Sequence, residues 1–354
     1  MLPKHLEYPM GISMKKSAVV TGVSLAVAAA LVLSACSSGG GAPTASTSKT
    51  YQVAVLAASS QNGYNQAVYR GVQQYAKTLG TKITLKLLDG QFNSNTQLSQ
   101  LQNVTSDGQY SGVIVVPNDG PTLTAAFPTT NKVPVVAVLN PIGPDINKMA
   151  PQVDGVVSTV AVPPADAATK QAEAVVAYCK SINPCKVVII VGNLSATLDV
   201  ARRDAYLKVL STSKNISVVA VLQGQYDRDT SLTAVSNVLQ AHKDINVILS
   251  NADQQTSGAQ IALTNAGIDP SSIYLTGGGG TVDAVKAVRD GQWKADYINF
   301  PVSMGAAAME QLYNALTGKA VKAVVNADQL GKTEPYATKE TLDKTPDFTG
   351  EWAG

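Results

Sequence analysis

From Tyr51 onward, short runs of consecutive apolar residues alternate with segments whose apolar residues recur every three or four positions. The runs lie at 53–57, 83–88, 112–116, 133–139, 186–192, 218–222, 246–250, 272–276 and 295–300, and most are rich in β-branched residues. Strands that are apolar at successive positions suit parallel sheets covered on both faces. Between them, 66–79 carries Val68, Val72, Tyr75 and Leu79 on one side and stops at Gly80, and 231–242 carries Leu232, Val235, Val238 and Leu239. These spacings predict helices with one buried face. The strand–helix alternation occurs twice, on either side of a stretch at 141–165 crowded with Pro141, Pro144, Pro151, Pro163 and Pro164. That stretch reads as the first passage between two lobes. The expected fold is therefore α/β, as two doubly wound three-layer α/β/α lobes. Right-handed crossovers place the strand C-termini of each lobe on one edge, beyond which such sheets bind ligands.

The N-terminus does not fit this pattern. Lys15 and Lys16 precede an uncharged stretch at 17–35, which ends in Leu33-Ser34-Ala35-Cys36. The stretch is just long enough to be a membrane anchor, but small residues before a cysteine resemble the bacterial lipobox. Residues 1–35 then read as a lipoprotein signal peptide, with Met14 as a second possible start. Cys36 is the expected lipidation site, and 36–50, beginning Ser37-Ser38-Gly39-Gly40-Gly41, is the expected flexible tether. The expected location is the outer face of a bacterial cell membrane. Lys4, Lys15 and Lys16 against Glu7 account for the whole formal charge of +2, so the exported part offers no basic surface for nucleic acid.

Composition removes most enzyme classes. Hydrophobic residues make up 45% and charged residues 15%, which excludes a disordered chain. His5 lies in the signal segment, leaving His242 alone, so a multi-histidine metal site is excluded. The G-x-S-x-G, G-x-x-x-x-G-K-[ST] and H-E-x-x-H patterns do not occur. An enzyme would have to use Asp227, Asp253 or Glu310 as acid or base, and no paired carboxylate is evident. No enzyme activity, cofactor or metal is expected. Cys179 and Cys185 lie in a Cys-x5-Cys spacing. Zinc would need further ligands, and a redox pair is normally Cys-x-x-Cys. Outside the cytoplasm a structural disulfide between a helix end and a strand start is expected.

Several phrases, taken in order, resemble a known family. They are Tyr69-Arg70-Gly71-Val72-Gln73-Gln74-Tyr75-Ala76, Gly112-Val113-Ile114-Val115-Val116-Pro117-Asn118-Asp119, Val133-Pro134-Val135-Val136, Tyr226-Asp227-Arg228, Asn251-Ala252-Asp253 and Asp283-Ala284-Val285-Lys286-Ala287-Val288-Arg289-Asp290-Gly291. Over roughly 51–335 the chain resembles the type I periplasmic binding proteins of ABC transporters, in the ribose/galactose-binding branch. The resemblance implies a three-segment hinge with crossings near 157–163, 299–301 and 325–331. The N-terminal lobe would be 51–160 with 301–326, and the C-terminal lobe 161–300 with 327–345, leaving 346–354 as a tail. It implies a monomer that closes its cleft on a small neutral solute, with sugars favoured, and presents it to a membrane permease. A signalling or chemotaxis receptor for an autoinducer-type ligand is the alternative on the same fold.

The resemblance also nominates pocket residues, each with a plainer reading beside it. Asn62, Tyr64 and Asn65 follow the first strand and would face the cleft, although Asn62-Gly63 could be a turn and Asn65 a helix cap. Arg203 matches the family's ligand-binding arginine, with a surface ion pair to Asp204 or Asp199 as the other reading and Arg202 as the solvated neighbour. Tyr226 matches a pocket aromatic, Asn251 and Asp253 follow the strand at 246–250, and Asn299 matches an amide at a crossing. Asp253 could equally be a helix cap. Asp119, beside Asn118, is either a cap before Pro121 or a cleft contact, and Asn140 stands where the family commonly has arginine. Two departures matter. The Asp-Arg pair expected after the fourth strand is Leu139-Asn140, and an Asp expected after 272–276 is replaced by four glycines at 277–280. The loss of two carboxylates implies a larger or less hydroxyl-rich ligand, with the glycine loop enlarging the pocket or bringing backbone N–H groups to it.

Overall fold

The computed structural model describes residues 49–354. The expected signal segment 1–35, the expected lipidation site Cys36 and the expected tether as far as 48 lie outside the described residues. The first sheet is built from β1 (Tyr51–Ala57), α1 (Gly63–Thr78), β2 (Ile83–Asp89), α2 (Ser94–Ser106), β3 (Gly112–Val115), α3 (Gly120–Leu123), β4 (Val135–Val138) and β5 (Val156–Ala161). The chain then crosses to α4 (Pro164–Cys179), β6 (Cys185–Val191), α5 (Thr197–Leu210), β7 (Ile216–Gln223), α6 (Arg228–Ala241), β8 (Val247–Ser250), α7 (Asp253–Asn265), β9 (Tyr274–Gly278), α8 (Val282–Arg289) and β10 (Ala295–Tyr297). It returns through α9 (Pro301–Leu316) and β11 (Val324–Asn326), then crosses again to β12 (Tyr336–Thr338) and α10 (Lys339–Asp343). The first sheet has the order β11-β5-β4-β3-β1-β2 and the second β12-β10-β9-β8-β6-β7. Every pairing is parallel except β10 with β12.

The continuous apolar runs are explained by cover on both faces. In β6, Val187, Ile189 and Val191 pack into the core that contains Ala172, Val175 and Tyr206 of α4 and α5. Val188 and Ile190 turn to the opposite core, with Val235 and Leu239 of α6. The first sheet repeats the arrangement. Val53 and Val55 join Val68 of α1 and Leu312 of α9, while Ala54 and Leu56 join Leu101 of α2.

Two elements depart from the apolar pattern. β5 lies inside the proline-crowded stretch that reads as a passage, because Ser158 and Thr159 interrupt its apolar run. Both are fully buried, and the Ser158 hydroxyl donates to Lys322 O at 2.7 Å beside β11. The run at 295–300 is a strand only through Tyr297, since Asn299 and Phe300 form the second crossing. Cys179 and Cys185 are bonded to each other, with Cα atoms 5.7 Å apart, between the end of α4 and the start of β6.

Candidate ligand-binding site

The C-terminal ends of the strands of both sheets surround a cavity of about 210 Å³. One water needs roughly 10–15 Å³ of such room, so the cavity has space for roughly 14–21 waters, enough for a small-molecule ligand. The first lobe contributes the turn after β1. Asn62 caps α1, its Oδ1 accepting from Asn65 N at 3.2 Å and from Asn65 Nδ2 at 3.0 Å. Asn65 Oδ1 accepts from Ala58 N at 3.0 Å. Both residues are thus structural and cavity-lining at once. Tyr64 lines the same wall, and burial pushes its phenol well up. Asn140 donates to Pro117 O at 2.8 Å, while its Oδ1 has no partner among the described residues. That oxygen is a buried acceptor beside the cavity, and leaving it unpaired costs free energy.

The second lobe contributes a network around Asp199, which is fully buried. Its carboxylate accepts from the Tyr226 hydroxyl at 2.7 and 2.8 Å, from Asn251 Nδ2 at 2.9 Å and from Asn193 N at 2.6 Å. Arg202 Nη1 stands 3.6 Å from Asp199 Oδ1 and donates to Tyr226 Oη at 3.4 Å. Burial works against the Arg202 cation, but Tyr226 and Asp199 outweigh it and hold the guanidinium charged. Burial, then Asp199, push the Tyr226 phenol well up, so it stays a donor. The Tyr226 ring stacks on Phe92 of the first lobe, with centroids 6.1 Å apart and planes at 19°.

Backbone strain concentrates at this cavity. Phe92, Leu139, Gln225 and Tyr226 hold positive φ of 51°, 69°, 55° and 56°. All four line the cavity. Such a conformation costs about 1–2 kcal/mol per non-glycine residue. It is retained where surrounding bonds enforce it, as Phe92 N to Ala58 O at 2.7 Å and Tyr226 N to Gln255 Oε1 at 3.2 Å do here.

Of the residues nominated from sequence, Asn62, Tyr64, Asn65, Asn140, Tyr226, Asn251 and Asn299 line the cavity. Three do not. Arg203 turns outward and pairs with Asp204, Nε to Oδ1 at 2.8 Å, while Arg202 takes the inner position. The cause is helical register. On α5 the buried positions are Leu198, Asp199, Ala205, Tyr206 and Leu210, and Arg202 lies one turn from Leu198 and from Tyr206. That stripe was readable in the sequence. Asp253 also points away. Its Oδ2 accepts from Thr281 N at 2.8 Å, and its side chain meets that of Asp296 beneath the glycine loop. Asp119 sits outside the lining as a clasp between lobes. One oxygen caps α3 through Thr122 N at 3.0 Å, and the other accepts from Thr197 Oγ1 at 2.9 Å at the start of α5. Burial opposes its ionisation, but the bonds from Thr122 and Thr197 prevail and hold its carboxyl below the ordinary value.

Sequence reasoning missed Phe92, Asp199 and Trp352 as site residues. Trp352 carries no periodic signal, because it lies in a tail outside any helix or strand. The glycine loop has a role that composition could not reveal. Gly278 lines the cavity, and Gly279 O accepts from Trp352 Nε1 at 2.8 Å.

The described geometry has relatives. The ribose import binding protein RbsB of Bacillus subtilis is 25% identical over 279 residues, covering 79% of this chain and 86% of that protein. The D-allose-binding periplasmic protein of Escherichia coli is 24% identical over 297 residues, covering 84% and 89%. The crystal structure of an ABC transporter periplasmic solute binding protein from Actinobacillus succinogenes with bound D-allose superposes with a TM-score of 0.71 at 20% identity, over 83% of this chain and 99% of that one. A family model described as the periplasmic binding protein domain matches residues 53–320. With two mainly parallel sheets, three crossings and a cavity between strand ends, the chain belongs to the periplasmic binding protein domain family.

Proposed function

We propose that this protein is the solute receptor of an ABC sugar importer, exported and held at the membrane by a lipid on Cys36. It captures a small neutral ring sugar or polyol between its lobes and presents it to the permease. The observation that carries the reading is the cavity itself. It joins one charged donor, Arg202, to a buried, unpaired amide acceptor, Asn140, and to the aromatic rings of Phe92 and Tyr226. Sugar hydroxyls donate and accept, and their C–H faces stack on aromatic rings. The Asp199 carboxylate is saturated by Tyr226, Asn251 and Asn193, so it orders the wall rather than anchoring a hydroxyl. With the glycine loop in place of a second carboxylate, the cavity favours a neutral ligand with few strongly anchored hydroxyls.

The reading is tested by thermal-shift and calorimetric titration against pentoses, hexoses, inositols, sugar alcohols and amino acids. A ligand that binds only the folded state raises the melting temperature by mass action. One class of ring sugar or cyclic polyol should do so and be recovered chemically unchanged. Stabilisation by amino acids alone would refute the sugar assignment, and turnover of the ligand would refute a pure receptor. Cys36→Ser should move the protein from the membrane fraction to the soluble exported fraction.

A further inference from the structure

Adjacent residues near the end of the chain bind opposite lobes. Glu351 Oε2 accepts from Val302 N at 2.9 Å and Ser303 N at 3.1 Å, and Oε1 takes the Ser303 hydroxyl. A carboxylate there satisfies the free amides and the positive end of α9, which follows the second crossing directly. Arg70 of α1 reaches Glu351 O at 3.3 Å. The next residue belongs to the second lobe. Trp352 O accepts from Val282 N at 2.9 Å, Trp352 forms a parallel bridge with Thr281, and its indole N–H donates to Gly279 O at 2.8 Å. The indole is buried and lines the cavity, edge-on to Tyr64 with centroids 5.8 Å apart. Glycines make room for it. A Cβ at Gly279 would stand 3.0 Å from Cζ2 of the indole, and one at Gly63 would stand 3.2 Å from Cζ3. The segment lies beyond the residues 53–320 that match the family model.

We propose that residues 349–354 form a strap joining the two lobes, and that it delivers Trp352 as a ligand-contacting, specificity-determining wall of the cleft. The inference rests on the sugar-receptor reading of that cleft. The indole N–H is committed to Gly279 O, so the ring offers the ligand an apolar surface and no hydrogen bond. Such a surface accepts the C–H face of a ring sugar or cyclic polyol and strips water from its edge. Linear polyols offer it no flat C–H face, and anionic solutes gain no hydrogen bond from it. Because the strap bonds both lobes only when they are together, it also favours the closed arrangement.

The protein has two tryptophans, and Trp293 is buried in the second lobe with its N–H on Gln260. Trp293→Phe therefore leaves Trp352 as the sole indole. The experiment titrates this variant with D-ribose, D-allose and myo-inositol, following emission and calorimetry together. A probe that binds should change Trp352 emission saturably, with the calorimetric midpoint. In the otherwise unchanged chain, Trp352→Ala should weaken that probe at least tenfold and Trp352→Phe less, a pair that also serves if Trp293→Phe does not fold. Binding with unchanged Trp352 emission, or Trp352→Ala within twofold of the parent, overturns the proposal. Small-angle scattering of the ligand-free protein supplies a readout independent of any sugar. Truncation after Phe348 should raise the radius of gyration. If neither these probes nor the wider panel of sugars and polyols binds the parent, the sugar reading fails by itself, and scattering decides the strap: an unchanged radius overturns it.

Discussion

On α5, one residue of register separates a cation at the cavity from a cation in solvent. Successive helical residues are about 100° apart, so Arg202 and Arg203 cannot both face inward. Arg202→Ala should weaken solute binding by more than about tenfold, because a charge-assisted donor is lost where water is excluded. It should also lower the melting temperature, since it leaves the buried Asp199 carboxylate short of its cation. Arg203→Ala should change affinity by less than about twofold, and calorimetry on the two variants checks both. Asp253 and Asp296 show a different use of charge. Burial pushes both carboxyls up, Asp296 well up with the negative Asp253 beside it as the next cause. The folded state therefore holds a proton that the unfolded chain releases above the ordinary carboxyl value. The stability this pair contributes is full below that value and is lost as pH rises through the raised one. Asp296→Asn keeps an acceptor for Gly280 N, which bonds Asp296 Oδ2 at 2.9 Å, and supplies a permanent donor to Asp253. The variant should melt above the parent near pH 8, with the gap closing toward about pH 5. Melting curves that run parallel across that range would refute the shared proton.

At the scale of elements, what could be read from sequence was whatever the core repeats. The stretches 53–57 of β1, 112–115 of β3, 187–191 of β6 and 247–249 of β8 carry no polar side chain because helices cover both faces, and that signal survives without any knowledge of partners. β5 was hidden because Ser158 and Thr159 interrupt its apolar run, the Ser158 hydroxyl and the Thr159 backbone N–H donating to Lys322 O and Ala323 O, both distant in sequence. The inner loops were legible by position, since strand C-termini gather at one edge, but not by orientation. Asp253 begins α7 as expected of a cleft residue, yet its carboxylate turns to Thr281 N because the glycine loop leaves donors there. Trp352 was illegible, because its partners come from two segments far away in sequence, Gly279 and Val282 after β9 and Tyr64 in α1. The Cys179–Cys185 bond is an element-scale feature too. It ties the end of α4 to the start of β6, with both cysteines packed in the core beside Val187 and Tyr206. It lies at the far end of β6 from the cavity. Closing so short a loop contributes about 2 kcal/mol. Replacing both cysteines by alanine should lower the melting temperature by about 3–6 °C. Affinity should stay within about twofold, and a larger loss would place the bond in the mechanics of binding.

At the scale of the whole molecule, the proposed receptor function depends on how much free energy separates a closed arrangement of the lobes from an open one. Three connections between lobes bear on it, besides the crossings themselves. Phe92 stacks on Tyr226, the tail spans Ser303 to Gly279 through Glu351 and Trp352, and Asp119 clasps Thr197. A bond made only in the closed state biases closure by its own net free energy, and the apparent affinity of the solute shifts by the same factor. The Asp119–Thr197 clasp is the one that can be removed without touching the cavity wall. Thr197→Val deletes the hydroxyl donor at 2.9 Å while leaving Asp119 its bonds to Thr122 N and Oγ1 at 3.0 and 2.6 Å. The cap of α3 is therefore kept, and the backbone N–H of residue 197 still approaches the carboxylate at 3.3 Å. A single charge-assisted hydrogen bond, partly replaced by water, is worth about 1–2 kcal/mol. The variant should bind its solute about 5–30-fold more weakly, chiefly through faster release, with the melting temperature of the ligand-free protein nearly unchanged. The clasp should also be insensitive to pH between about 5 and 8. The Asp119 carboxyl is held below its ordinary value in the closed form, so its contribution is present above that value and lost only as pH falls through the depressed one. Stopped-flow release rates of parent and variant at two pH values decide the matter. Equal rates would mean that the lobes close without the clasp, and that closure rests on the ligand, the Phe92–Tyr226 stack and the tail.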